Sequence, residues 1–412
     1  MDQQANALSV VPPPVEPPPS TAPATVAYIR RVGEHVPALD ALRGLAILLV
    51  MGFHFGQGGE DGSSLEKFIS KVLGIGYHGV DLFFVLSGFL ITGILLDTRD
   101  APRYFRNFYI RRTLRIFPLY YGVLLVTLMV LPLVLPMGAS PYHEAQKQQA
   151  WLWCYGSNIY HAWARRWDLA GFNHFWSLAV EEHFYLIWPL VIFFCRPRAA
   201  LIVCVACVLF SLACRTGLAL YGNQAALYAL TPCRMDGLAI GGLLALAARR
   251  PQGIRALLPW AIVIAVLSGL SILAIIWWNR SMSASGHNGM TIRFTLYALL
   301  FGAMLVFALT AAPASIPGRL WNSLLLRFFG KYSYGLCVFH YLLFPIFDQY
   351  LPAAELGSRL GSVLLGRAAF IALATGASLF LAFLSWHLYE KHFLKLKEVV
   401  AGRNKTGTGL LS

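Results

Sequence analysis

The feature that most limits what this chain can become is a series of apolar runs, each about 20 residues long and separated by charged or proline-containing breaks. A run of that length crosses the hydrocarbon core of a bilayer as a helix, with every backbone polar group satisfied inside the segment. About ten runs are read, over roughly 38–56, 77–97, 116–136, 176–195, 199–221, 233–248, 256–278, 291–312, 329–350 and 367–389. The fold class expected is therefore all-α, a polytopic membrane helix bundle. Composition agrees: 57% of residues are hydrophobic and 13% charged, where a soluble domain carries about 25% charged residues. This excludes an ordinary soluble enzyme and a disordered chain. A net charge of +14 would suggest nucleic acid in a soluble protein, but here the location of the positive charges matters more, and no nucleic-acid partner is expected.

Lysine and arginine set the orientation. With the N-terminus cytoplasmic, the inner segments hold Arg30, Arg31, the run from Arg99 to Arg115, Arg196, Arg198, Arg249, Arg250, Arg255 and the basic C-terminal stretch. Well over twice as many basic residues then lie inside as outside, which favours both termini in the cytoplasm and an even number of spans. Residues 1–35 read as a disordered proline-rich tail, 36–393 as the membrane domain and 394–412 as a polar cytoplasmic tail. Residues 151–163 are aromatic but too short and polar to span, and suit the interface. Cys204 and Cys207 form a C-x-x-C inside an apolar helix (LIVCVACVLF). With no polar neighbours they read as small packing residues. No metal-binding pattern is present: neither His-Glu-x-x-His nor a cysteine–histidine cluster occurs.

Ionisable residues inside spans are costly and mark sites. The first span carries Arg43 near its inner end and His54 roughly 17 Å farther out, from the helical rise. His78 and Asp81 fall near the outer end of the second span. Glu181, Glu182 and His183 fall in the outer half of the fourth, Arg234 and Asp236 at the outer edge of the sixth, and His340 midway along the ninth. Histidines and carboxylates thus gather outward, while the arginines from Arg103 to Arg115 lie inward. An imidazole beside a carboxylate can remove a proton from a hydroxyl, and arginines suit phosphates because each offers a fork of donors. Together they point to a phosphate-bearing donor held inside and proton transfer nearer the outside.

Several segments carry a resemblance. They are LDALRGLAILLVMGFHF, with Arg43 and His54; GVDLFFVLSGFLI, with Ser87, Gly88 and Phe89; FYIRRTLRIFPLYY, with Arg111, Arg112, Arg115 and Pro118; and FWSLAVEEHFYLIWP, with Trp176, Ser177, Glu181 and Glu182. In this order they resemble the acyltransferase-3 family of bacterial integral-membrane O-acyltransferases, and weaker matches continue through CRMDGLAIGGLLA, GKYSYGLCVFHYLL and SWHLYEKHF. The resemblance runs from Leu39 to Phe393. It departs from the family pattern at His183, at Phe339 before His340, and in lacking a proline after Glu390. Many relatives carry an additional soluble domain, so the sequence reads as a stand-alone form.

The resemblance implies an acyl-coenzyme A co-substrate, commonly acetyl, and a hydroxyl acceptor on an envelope saccharide or secreted glycoconjugate, at the bacterial inner membrane. His54 would be the general base, with Asp81 or Glu181 as its carboxylate. Arg43 or backbone amides near Ser87 would stabilise the tetrahedral oxyanion. Arg111, Arg112 and Arg115 would hold the coenzyme A phosphates. Ser87, Trp176, Glu182, Arg234, Asp236 and His340 would line the substrate pocket. No permanently bound cofactor or metal is expected. An acyl group carried briefly on His54 is a second route. The competing reading from another class is a transporter of a polar or acylated solute, with the same intramembrane His, Asp and Glu coupling protons. The lack of a clear internal repeat argues against it.

Overall fold

The computed structural model describes residues 36–56, 63–134, 141–279 and 287–400. The proline-rich segment 1–35 and the end of the chain from 401 lie outside the described residues. The described part is helical throughout, with no strand assigned. Ten long helices form the bundle: α1 Pro37–Phe55, α2 Gly79–Asp97, α3 Tyr104–Leu124, α4 Phe175–Phe194, α5 Pro197–Leu220, α6 Thr231–Ala248, α7 Leu258–Asn279, α8 His287–Thr310, α9 Ser333–Tyr350 and α10 Val363–Ser385. Each corresponds to one of the expected runs. Among the described residues, nine segments are long and apolar enough to cross a membrane. The one expected run not among them, the ninth, contains α9, which is less apolar because it carries Ser333, His340, Asp348 and Gln349. It is nevertheless an 18-residue helix, about 27 Å long at the helical rise.

One boundary differs in a way that matters. The third span was expected to start near residue 116, with the arginine cluster before it on the inner side and Arg111 or Arg112 sharing a helical face with Arg115. Instead α3 begins at Tyr104, so Arg106, Arg111, Arg112 and Arg115 belong to the third long helix itself. Arg115 lies about 16 Å along the axis from the helix start. The sequence window was too polar to be read as part of a span. The helix tolerates these charges because Arg112 and Arg115 turn to one inward face at i, i+3 spacing, rather than toward lipid. Past Leu124 the same rod continues through a wider π-type stretch, Leu125–Val130, to Val134.

Two helices meet closely enough to dispense with side chains. At Gly88 on α2 a Cβ would lie 1.9 Å from the Leu238 carbonyl oxygen, and at Gly241 on α6 it would lie 2.1 Å from that of Val85. Close approach through small residues is how membrane helices gain contact where burial of apolar surface offers little drive. The crossing of α2 and α6 fixes Ser87, next to Gly88, at the centre of the bundle. The outer faces of α5, α7 and α10 expose Leu209, Phe210, Leu267, Leu270, Phe380 and Phe383, as a lipid-facing surface should.

Between α3 and α4, residues 141–174 form short helices (His143–Lys147, Gln149–Trp153, Ser157–Ala164). They are tied to the bundle: the Tyr142 hydroxyl donates to the Leu342 carbonyl (2.8 Å) and that of Tyr120 to the Leu152 carbonyl (2.7 Å). The aromatic stretch expected at the interface belongs to this connection, where Trp151 stacks near Trp163.

Candidate active site

A single cavity joins the two ends of the charge pattern. Its empty volume, open parts included, is about 1170 Å³. At one end it is lined by Arg43, Arg112 and Arg115, and at the other by His54, His174 and His340; Ser87, Trp176, Glu181, Glu182 and Tyr185 are also in its walls. Most of the remaining lining is apolar, including Val80, Phe83, Leu90 and Ile116.

At the arginine end, Arg43 pairs with Asp40 one turn earlier on α1 (3.2 Å). Arg112 sits over the rings of Phe108 and Tyr185, at 5.8 and 5.7 Å from their centroids. Arg111 does not line the cavity, and its Nε is buried without a hydrogen-bond partner. Of the three arginines read as donor ligands, the structure brings two to the cavity and leaves one out, as helical geometry requires of neighbours one residue apart.

A polar collar stands on α2 and α4. Ser87 Oγ donates to Glu181 Oε1 (2.7 Å), the Tyr185 hydroxyl donates to Oε2 (3.1 Å), and the two hydroxyls are 3.2 Å apart. Beside it, Glu182 Oε1 is buried with no hydrogen-bond partner. Tyr185 was not singled out from the sequence, although it follows Glu181 by four residues and so shares its helix face.

At the histidine end, the ring nitrogens His54 Nδ1 and His340 Nε2 are 3.0 Å apart. His340 is fully buried, and its Nδ1 lies 2.9 Å from the carbonyl oxygens of both Leu336 and Cys337. Tyr341 packs on His54 with ring centroids 4.6 Å apart. His174, just before α4, completes the group with its ring 5.1 Å from that of His340. Sequence reading missed it because it precedes the helix and no motif contains it. Trp176, two residues on, was the available signal.

Asp81 was one of two carboxylates, with Glu181, considered as the partner of His54, and the structure turns its oxygens elsewhere. Its Oδ2 is 2.7 Å from His78 Nδ1 and its Oδ1 accepts from Arg234 (2.6 Å), so both oxygens are engaged away from the cavity, whose lining does not include it. Arg234 and Asp236, read as pocket residues, are also absent from that lining. Arg234 pairs with Asp81, and Asp236 belongs to a buried network in which Arg215 donates to Asp236 (2.8 Å) and to the Thr291 carbonyl (2.7 Å), and Thr295 also donates to Asp236 (2.7 Å). The Arg234 guanidinium lies 3.8 Å from the Phe294 ring centroid and 5.3 Å from that of Trp176. It therefore meets the cavity only through the back of an aromatic wall. The physical reason is pairing: Asp81 on α2 faces Arg234 on α6, and Asp236 on α6 faces Arg215 on α5, so neither carboxylate stands alone in the membrane interior, where an isolated charge would be costly. Among the described residues no cluster of ligating side chains suited to a metal ion occurs.

Comparison with known proteins follows the same line. Residues 36–387 match the model of the acyltransferase-3 family, described as an acyltransferase domain. The chain is 28% identical over 389 residues to YrhL of Bacillus subtilis, covering 87% of this chain and 54% of that protein. It is 28% identical over 354 residues to the peptidoglycan O-acetyltransferase OatA of Listeria monocytogenes, covering 81% and 52%. It is 26% identical over 333 residues to the O-acetyltransferase OatA of Staphylococcus aureus, covering 77% and 52%. The chain thus spans about half the length of the curated relatives it matches. No solved structure matches it. With the family model covering the bundle from before α1 to just beyond α10, the chain belongs to the acyltransferase-3 family.

Proposed function

We propose that the protein is a membrane-embedded O-acetyltransferase that takes its acetyl group from acetyl-coenzyme A on the cytoplasmic side and passes it to a hydroxyl of an envelope saccharide at the outer side of the bacterial inner membrane. The observation that carries the reading is the continuity of one cavity from Arg43, Arg112 and Arg115 to His54. The names of the Listeria and Staphylococcus relatives supply the acetyl group, and the former's supplies the saccharide class. The arginines meet the coenzyme A phosphates with charge-assisted hydrogen bonds. The narrow pantetheine arm runs along the apolar wall past Ser87 and Glu181. His54 takes the proton from the acceptor hydroxyl as its oxygen attacks the thioester carbonyl. The tetrahedral intermediate then collapses, the C–S bond breaks, and the departing thiolate receives that proton, giving free coenzyme A and an O-acetyl ester.

Oriented proteoliposomes provide the test. Acetyl-coenzyme A is supplied on the arginine side, and muropeptides or soluble peptidoglycan fragments on the other. Coenzyme A release matched by acetyl ester on the fragments supports the reading. Transfer only when both substrates share the arginine side overturns the sidedness. No coenzyme A release with any hydroxyl acceptor overturns the reaction.

A further inference from the structure

Two carbonyl oxygens face His340 Nδ1 at 2.9 Å, those of Leu336 and Cys337. A carbonyl oxygen only accepts, so Nδ1 must carry the hydrogen. Among the described residues neither His340 nor His54 takes part in a salt bridge. An imidazolium at fully buried His340 would thus be a charge without a counter-ion, which is costly. A neutral ring with Nδ1–H has a bare Nε2, and that nitrogen is the one 3.0 Å from His54 Nδ1. Two bare nitrogens do not hydrogen-bond, so His54 Nδ1 must be the donor.

We infer that His340 is a positioning residue: it holds His54 as the Nδ1–H tautomer and so makes Nε2 its basic nitrogen. The chain of donors runs one way, from His54 Nδ1–H to His340 Nε2 and from His340 Nδ1–H to the backbone of α9. Because α9 is a continuous helix through this point, the last acceptors are fixed by its ladder, and the tautomer of His54 is set by backbone geometry. The same contact fixes the ring plane, which Tyr341 buttresses. An imidazole takes this part in place of the carboxylate more often found behind a catalytic histidine. Burying a neutral ring here avoids the desolvation cost of a carboxylate in the membrane interior. The proposal rests on His54 being the base, and its test separates the two.

The first measurement does not involve turnover. Nitrogen NMR of histidine-labelled protein in lipid, with His54→Gln to assign the signal, reads which His54 nitrogen is protonated. The expected result is Nδ1–H in the wild-type protein and loss of that preference in His340→Leu. Nε2–H in the wild type, or an unchanged tautomer in His340→Leu, overturns the proposal. The second measurement is acetyl transfer. His340→Leu should lower kcat by roughly 100-fold, the scale of a general base disabled, with KM for acetyl-coenzyme A within about twofold because the arginine end is untouched. His340→Gln, whose amide oxygen can accept from His54, should recover most of that loss. A Gln variant as impaired as Leu, with wild-type thermal stability, overturns the role. Normal transfer by His54→Gln overturns the base reading and the catalytic purpose of the pair, and NMR still reports whether the tautomer is fixed.

Discussion

Ser87 on α2 and Glu181 on α4 are joined by a 2.7 Å hydrogen bond across the cavity wall, and Tyr185 closes the group by donating to the other carboxylate oxygen. Both residues line the passage that also holds the arginines and the histidines. Truncating the acceptor of such a group costs more than removing one donor, because two hydroxyls lose their partner and Arg112 loses a nearby negative charge. Glu181→Ala should therefore reduce transfer by roughly 30-fold or more, and Ser87→Ala by roughly tenfold, from the about 1.5–3 kcal/mol of a hydrogen bond to a charged group. Groups sharing one network are not additive. The double variant should be no worse than Glu181→Ala alone, and steady-state kinetics of all three variants checks this.

The arginines should separate by position on the helix rather than by charge. Arg112→Gln with Arg115→Gln should raise KM for acetyl-coenzyme A by about tenfold or more, the scale of lost charge-assisted hydrogen bonds, and change kcat less. Arg111→Gln should stay within about twofold of wild type, since Arg111 does not line the cavity. Equal effects from all three positions would mean that the cluster acts only as a diffuse positive field. Titration of acetyl-coenzyme A against each variant in proteoliposomes decides between the two.

Asp81 should matter for stability. It ties α2 to Arg234 on α6 and holds His78, all within the buried interior. Asp81→Ala leaves a buried arginine without its counter-ion, a change that costs about 3–5 kcal/mol in comparable pairs. Thermal unfolding in detergent should show a marked fall in Tm, while KM for acetyl-coenzyme A in the surviving folded fraction stays near wild type. A variant with normal Tm and abolished turnover would return Asp81 to the chemistry.

How far these features could be read from the sequence depended on whether the signal was local. Arg43 and His54 lie on one uninterrupted apolar run, so their helix and relative depth followed from the helical rise. The α2–α6 crossing did not, because Gly88 and Gly241 have no spacing that announces a partner 153 residues away. The misplacement of the third span came from weighing hydropathy alone: Arg111, Arg112 and Arg115 lower it, although two of them face an internal cavity and never meet lipid. Asp81 was a candidate partner of His54 on depth, beside Glu181, but depth does not fix azimuth around a helix axis. Its oxygens point to His78 and Arg234 instead. The partner His54 does have, His340, was visible as an intramembrane histidine midway along its own span. That it faces His54 with one particular nitrogen is a matter of side-chain geometry that sequence does not encode locally.

The crossing of α2 and α6 offers the last prediction, because it couples packing to the site. A Cβ at Gly88 would overlap the Leu238 carbonyl oxygen at 1.9 Å, and backbone on both sides leaves no flexible group to yield. Gly88→Ala must therefore push α2 from α6, at a cost of about 1–3 kcal/mol, the range for overpacked interiors. Ser87 moves with it and loses alignment with Glu181. Stability and transfer should fall together, with kcat more affected than KM for acetyl-coenzyme A. Gly217 on α5 is the control. A Cβ there meets nothing within 4 Å, so Gly217→Ala should leave activity unchanged and raise stability by up to about 1 kcal/mol through helix propensity. Thermal unfolding and transfer assays on both variants read the outcome. A Gly88→Ala protein as stable and active as Gly217→Ala would mean that the two helices do not cross at the distance described.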